Sequence, residues 1–244
     1  SSEAYKYLGI LFYIKGDLSQ SLKALEKALE IDANCKDSMV IKAVLEGLCR
    51  DDKAQGSIRG WFSNLLSSPR EFPIELERPV EKNFVRELYE LEGVDLARRD
   101  LPTKGNAKTS DFSFFERNQQ LTDSLRRDLI DLAEKAIGTK VYFEDSWFTI
   151  LRGGGYVTKH HHLSPLAKIP GLDVIGERQF ALVYYLDIGD QCGDEPGFLE
   201  FYDPSYKLLP SEGRVVIFPA ARYHSVKYNG VRDRVMIGVN FWST

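Results

Sequence analysis

All four histidines of this chain lie in two short segments. His160, His161 and His162 form one run and His224 stands 62 residues beyond it, while the first 159 residues hold none. Neutral imidazole is a common ligand for iron, zinc, copper and nickel, so confinement to two segments implies that they meet around one metal ion. The run follows Gly154-Gly155-Tyr156-Val157-Thr158-Lys159, and the lone histidine sits in Ile217-Phe218-Pro219-Ala220-Ala221-Arg222-Tyr223-His224-Ser225-Val226. Both contexts read as strand. Positions i and i+2 of a strand point to the same side, which lets His160 and His162 reach one ion and turns His161 away or toward the substrate side. A register with His161 and His224 as the ligands is the alternative. An internal place within an apolar strand pattern argues against a tag remnant. Arg234 follows His224 by ten residues, in Asp233-Arg234-Val235-Met236-Ile237-Gly238-Val239-Asn240-Phe241.

The elements that must position these residues change character along the chain. Apolar residues Tyr5, Leu8, Leu11 and Phe12 repeat at the helical period, Lys15-Gly16-Asp17 breaks the pattern, and Leu22, Leu25, Ala28 and Leu29 resume it over about 18–31. The Leu8-Gly9 pair, Phe12, Leu25 and Ala28 fall at the offsets of a tetratricopeptide repeat, although Ser21 and Ala33 replace its usual alanine and closing proline. Further helices are expected over about 36–49 and 55–66. This helical region, residues 1–68, is read either as a cap on the next domain or as the end of a repeat array. Residues 69–244 form the second domain. It opens with a strand over 71–76 and helices over 80–91 and 121–137, the latter capped by Thr122 and ended by Gly138. Leu101–Asp111 reads as an exposed loop. From Val141 onward, strands are expected over 146–152, 156–163, 179–186, 197–202, 214–218, 223–228 and 234–242. Seven or eight short strands at this spacing suggest a sandwich or jelly roll. Ser164–Glu177 is too long for a hairpin and is expected to hang at the barrel mouth as a lid or substrate-contact loop.

Composition narrows the function. The chain has 244 residues and a net charge of −4 from 32 basic and 36 acidic residues, which argues against nucleic acid as the main partner. No apolar run approaches the roughly 18–20 residues needed to span a bilayer, and no signal peptide is visible. The first residue is Ser, compatible with an excised fragment. Cys35, Cys49 and Cys192 show no paired spacing, which fits a reducing, cytoplasmic setting and argues against a cysteine zinc site.

The ordered motifs of residues 145–244 resemble the iron(II)/2-oxoglutarate oxygenases with a double-stranded β-helix. The pieces are the Trp147 strand, the Gly turn before the histidine run, Tyr184-Tyr185-Leu186, Gly197-Phe198-Leu199-Glu200-Phe201-Tyr202-Asp203-Pro204, and Phe218-Pro219 before His224, then Arg234 and Asn240. The fold class that this implies is α+β: N-terminal antiparallel, tetratricopeptide-like helices followed by a jelly-roll domain with supporting helices. It implies Fe(II), 2-oxoglutarate as co-substrate and O2, with succinate and CO2 released. It makes His160, His162 and His224 the metal-holding and catalytic residues. His162 stands where such enzymes usually carry a carboxylate, and two histidines plus water is the alternative set. By the same resemblance Arg234 grips the distal carboxylate of 2-oxoglutarate as a two-pronged donor and the Tyr185 hydroxyl assists, with Arg232 the competitor in the preceding turn. Glu200 and Asp203 are read as structural. The expected activity is hydroxylation of a protein or peptide side chain, the helical region serving as the peptide-holding partner surface. A small-molecule, amino-acid oxygenase and an inactive cupin-like binding module are the alternatives; the glutamate ligand usual in cupins is not seen.

Overall fold

The computed structural model describes residues 1–51, 73–96 and 105–244. The helix expected over 55–66 and the boundary proposed near residue 68 lie outside the described residues. Three helices come first, α1 (Ser2–Ile14), α2 (Leu18–Ile31) and α3 (Lys36–Asp51). The Ser1 side chain caps α1 through the Ala4 amide at 3.3 Å, and Asp17 caps α2 through the Gln20 amide at 3.0 Å. Gly9 lies where α1 crosses α2, because a Cβ there would meet Leu25 Cγ at 2.8 Å. Gly9, Leu25 and Ala28 are buried, and Leu8 is exposed. Among the described residues no helix is long and apolar enough to cross a membrane.

Eleven strands are described, in two sheets. The seven-stranded sheet has the order β1 (Ile74–Glu77), β9 (Arg214–Pro219), β6 (Gln179–Asp187), β11 (Arg234–Ser243), β4 (Val141–Leu151), β3 (Ala107–Thr109), β2 (Val94–Asp95). The four-stranded sheet has the order β5 (Gly155–His160), β10 (His224–Tyr228), β7 (Pro196–Phe201), β8 (Tyr206–Leu208). Every pairing in both sheets is antiparallel.

Side-chain alternation divides the large sheet into two faces. One face carries Phe180, Leu182 and Tyr184 of β6 with Val235, Ile237, Val239 and Phe241 of β11. It packs against Leu125, Leu129, Ala133 and Ile137, the buried stripe of the long helix Gln119–Ile137. That stripe repeats every four residues, which is why the sequence displays it. The other face, with Leu151, Ala181, Tyr185 and Phe218, packs against Leu199, Phe201, Val226 and Tyr228 of the small sheet.

Three sequence expectations are corrected. Thr122 does not cap the long helix; it lies inside it, with its hydroxyl donating to the Asn118 carbonyl at 2.9 Å, and Asn118 is the capping position. Gly138 ends the helix as expected, at φ +80. The 101–111 segment is not all loop, because Ala107–Thr109 pairs with β4; three residues are too few to display a strand period. Ser164–Glu177 is not a free lid. It folds into a 3-10 turn (Pro165–Lys168) and a short helix (Asp173–Glu177), and Leu166, Leu172 and Ile175 are buried with Leu25, Ile41, Val44 and Trp242. Among the described residues of this segment, only its start, Ser164 and Pro165, reaches the cavity described next.

Candidate metal centre and its cavity

Strand pairing brings the two histidine segments together. His160 ends β5 and His224 begins β10, and the two are direct partners across the small sheet. His162 lies two residues past the end of β5, where its amide donates to the Ala220 carbonyl at 2.8 Å. The expected strand geometry therefore ends one step early, yet the ring still joins the group. One ligand atom from each of His160, His162 and His224 lies within 4.8 Å of the others, and His162 Nε2 is 3.2 Å from His224 Nε2. Two imidazoles at right angles on one metal, with bonds of about 2.1 Å, would hold their nitrogens roughly 3 Å apart. Two neutral imidazole nitrogens at this distance share either a proton or a metal ion.

The backbone sets two of the tautomers. His160 Nδ1 faces the Thr158 carbonyl at 2.8 Å, and His224 Nδ1 faces the Arg222 carbonyl at 3.1 Å. A carbonyl accepts only, so both Nδ1 atoms carry the proton and both Nε2 atoms carry the lone pair, the outer-shell arrangement that prepares a histidine ligand. Burial first, then the adjacent His160, pull His224 down to about 3, which keeps it in the neutral, metal-binding form. Trp147 lies flat against His162, at 5.5 Å between centroids and 16° between planes. Gly238 is its partner on β11, and a Cβ there would meet the indole at 2.4 Å. Gly238 thus makes the room in which Trp147 can back the third histidine. His161 is outside the group. Its Nδ1 accepts from the Leu163 amide at 3.2 Å and its ring meets the edge of Tyr223.

The three histidines open on a cavity of ≈ 470 Å³ between the two sheets. Tyr185, Leu199, Val226 and Met236 form part of its wall, and His161 borders it. Tyr185 Oη is buried without a hydrogen-bond partner, and burial pushes this hydroxyl up to about 12. Arg234 is on the same face of β11 as Met236 and is fully buried, but it does not line the cavity. Its Nη2 donates to the Pro196 carbonyl at 2.7 Å, its Nε to the Ile188 carbonyl at 3.3 Å, and its Nη1 to the Gly197 carbonyl. The Tyr228 ring lies 4.7 Å and the Tyr185 ring 6.0 Å from the guanidinium carbon. Gly197, at φ +90, lets the backbone come this close; a Cβ would meet Arg234 Nη1 at 2.1 Å. Among the described residues no carboxylate lies within ion-pair distance of Arg234, and burial pulls it below the ordinary guanidinium value. Arg232 is exposed in the turn and pairs with Asp187 at 3.3 Å.

Glu200 and Asp203 are near the site in sequence and are read from it as structural. Glu200 pairs with Lys207 at 2.5 Å, and neither residue lines the cavity. The carboxylates that do are Glu144 and Asp145 on β4. Asp145 stands two positions before Trp147 on one face of a strand, a spacing that could have revealed it. Glu144 owes its place to a β-bulge that no sequence period displays: Asn240 pairs with Asp145 and Phe241 with Phe143, so Glu144 is the extra residue. Its Oε2 accepts from Trp242 Nε1 at 2.8 Å and Gln179 Nε2 at 3.1 Å. Burial first, then the adjacent Asp145, push it up to about 7.

No family model and no curated protein matches the sequence. Solved structures do resemble the fold. A prolyl hydroxylase from Trichoplax adhaerens, in complex with a hypoxia inducible factor oxygen degradation domain peptide, is 16% identical, with a TM-score of 0.51 over 79% of this chain and 96% of that one. The non-heme alpha ketoglutarate dependent epimerase SnoN from nogalamycin biosynthesis is 11% identical, with a TM-score of 0.53 over 76% of this chain and 83% of that one. A viral collagen prolyl hydroxylase from Paramecium Bursaria Chlorella virus-1, in its 2-oxoglutarate complex, is 12% identical, with a TM-score of 0.50 over 71% of this chain and 97% of that one. Helices, two facing antiparallel sheets and a histidine cluster between them thus give this chain the double-stranded β-helix fold that these oxygenases share.

Proposed function

We propose that this chain is an Fe(II)- and 2-oxoglutarate-dependent dioxygenase that hydroxylates a side chain of a protein or peptide. The observation that carries the reading is the convergence of three imidazoles from two paired strands, two of them held by backbone carbonyls in the tautomer that offers Nε2. The donor set fits Fe(II), for which imidazole is a common ligand. With His162 in place of a carboxylate, the protein ligands add no negative charge. Bound iron would supply oxygen activation. The overall reaction consumes one 2-oxoglutarate, one O2 and one substrate C–H, and gives succinate, CO2 and C–OH.

The chain's own residues hold and orient the reactants. His160, His162 and His224 hold the metal, and Trp147 fixes the plane of the third ligand. Arg234 supplies the buried positive charge for the distal carboxylate of 2-oxoglutarate. Its lack of a carboxylate partner supports this role, since a buried cation is costly until it is paired. To take up the anion, the guanidinium exchanges part of its carbonyl contacts. Tyr185, with its hydroxyl buried and unsatisfied, offers a second donor to the same group. Apolar residues such as Leu199 and Val226 exclude water. The shared fold with peptide-bound and 2-oxoglutarate-bound oxygenases supports the class, and the peptide-bound neighbour supports a peptide substrate.

The test is turnover. Protein supplied with Fe(II), 2-oxoglutarate and O2 should release succinate and CO2 in equal amounts, and His224→Ala should abolish the release while leaving the fold intact by circular dichroism. Release that is unchanged in His224→Ala would contradict the reading.

A further inference from the structure

We propose that the part of the cavity walled by Glu144, Asp145 and Asn240 receives a cationic group of the substrate, an ammonium or guanidinium. This deepens the oxygenase reading and rests on it. The first observation is charge: two carboxylates line the cavity, and among the described residues that line it none is Lys or Arg. The second is an unmet acceptor. Asn240 is only 8% exposed; its Nδ2 donates to Asp145 Oδ2 at 3.3 Å, and its Oδ1 is buried with no hydrogen-bond partner. A buried amide oxygen left unsatisfied is destabilising, and a ligand N–H removes that cost. The third is the bulge in β4, which directs two consecutive side chains to one side where a regular strand would direct one.

The acceptors are arranged for a donor-rich ligand. Both protein donors to Glu144 reach Oε2, which leaves Oε1 for a ligand. Asp145 offers its carboxylate, and Asn240 Oδ1 a neutral acceptor beside it. An ammonium has three donors and a guanidinium five, enough to engage all three. An anionic or purely apolar substrate end would meet repulsion or leave Asn240 unsatisfied. Asp145 and Trp147 are two positions apart on one strand, roughly 7 Å, and Trp147 backs His162. The oxidised carbon therefore lies several bonds from the charge, as in a long basic side chain or a flexible polyamine.

The experiment reads succinate release from the Fe(II)- and 2-oxoglutarate-loaded protein. One arm uses peptide libraries with a fixed central residue: lysine, arginine, norleucine, proline or glutamate. The other arm uses free L-lysine, L-arginine and spermidine. We expect a cationic probe in at least one arm to raise release about tenfold over its uncharged counterpart, and the arm that responds says whether the cation belongs to a peptide or to a free amine. Asp145→Asn and Glu144→Gln/Asp145→Asn should remove that preference, with metal content and 2-oxoglutarate affinity within error of the parent and a native circular dichroism spectrum. Equal response to lysine and norleucine, preference for proline or glutamate, no response to any cationic probe, or a preference that survives both variants would each overturn the proposal. Failure to bind Mn(II) and 2-oxoglutarate would instead strike the oxygenase reading itself.

Discussion

His162 Nε2 and His224 Nε2 face each other at 3.2 Å although the residues are 62 apart in sequence. The β5–β10 pairing brings the two segments together, the Ala220 carbonyl anchors the backbone of His162, and Trp147 backs its ring. Neither nitrogen gains from this proximity unless a proton or a metal lies between them.

The ligand set makes a ranking. His224→Ala and His160→Ala should reduce metal binding below one ion per chain, measured by dialysis against Mn(II) followed by elemental analysis. His162→Ala should weaken it by at least tenfold. His161→Ala should change it little, because that ring packs on Tyr223. A large loss in His161→Ala with retention in His162→Ala would exchange their roles.

Gly238→Ala tests the support behind the third ligand. A methyl group there collides with the indole of Trp147 and should tilt it away from His162. Loss of an outer-shell partner commonly costs about 10–100-fold in metal affinity, so a drop of about tenfold in Mn(II) affinity is expected. An unchanged affinity would remove Trp147 from the account of the site.

Much of this was legible beforehand. The helical stripe Leu125, Leu129, Ala133, Ile137 is written in a single period, and β6 and β11 are rich in Val, Ile, Tyr, Phe and Trp, so these elements could be read directly. His160, His162 and His224 could be gathered because all the histidines occupy two segments. What escaped depended on geometry without a period. The bulge at Glu144 breaks the alternation that would have marked it, β3 is three residues long, and the burial of 164–177 on the N-terminal helices is a tertiary contact.

Glu144 gives the stability a pH dependence. Its carboxyl is raised from 4.5 to about 7 in the folded state, so its contribution is fully present below pH 4.5 and is lost as pH rises through 7. The full span is on the order of 3 kcal/mol. Glu144→Gln should therefore flatten the unfolding free energy between pH 4.5 and 8, measured by urea titration, and should exceed the parent in relative stability at the upper end. Parallel curves for the two proteins would contradict the assignment.

Arg234→Lys keeps the charge and loses the fork. Binding of 2-oxoglutarate to the Mn(II)-loaded protein, followed by anaerobic calorimetry, should weaken by about tenfold to a hundredfold, corresponding to roughly 1.5–3 kcal/mol of charge-assisted hydrogen bonding. Arg232→Lys should change little, because that residue is exposed and paired with Asp187. A large effect at Arg232 and none at Arg234 would move the anchor to the turn.

The central claim is that three histidines hold an oxygen-activating metal beside a 2-oxoglutarate site. A crystal structure grown anaerobically with Mn(II) and 2-oxoglutarate tests it most directly. Anomalous scattering should place one ion on Nε2 of His160, His162 and His224, with 2-oxoglutarate chelating that ion and its distal carboxylate on Arg234. An ion bound elsewhere, or 2-oxoglutarate bound away from these residues, would contradict it.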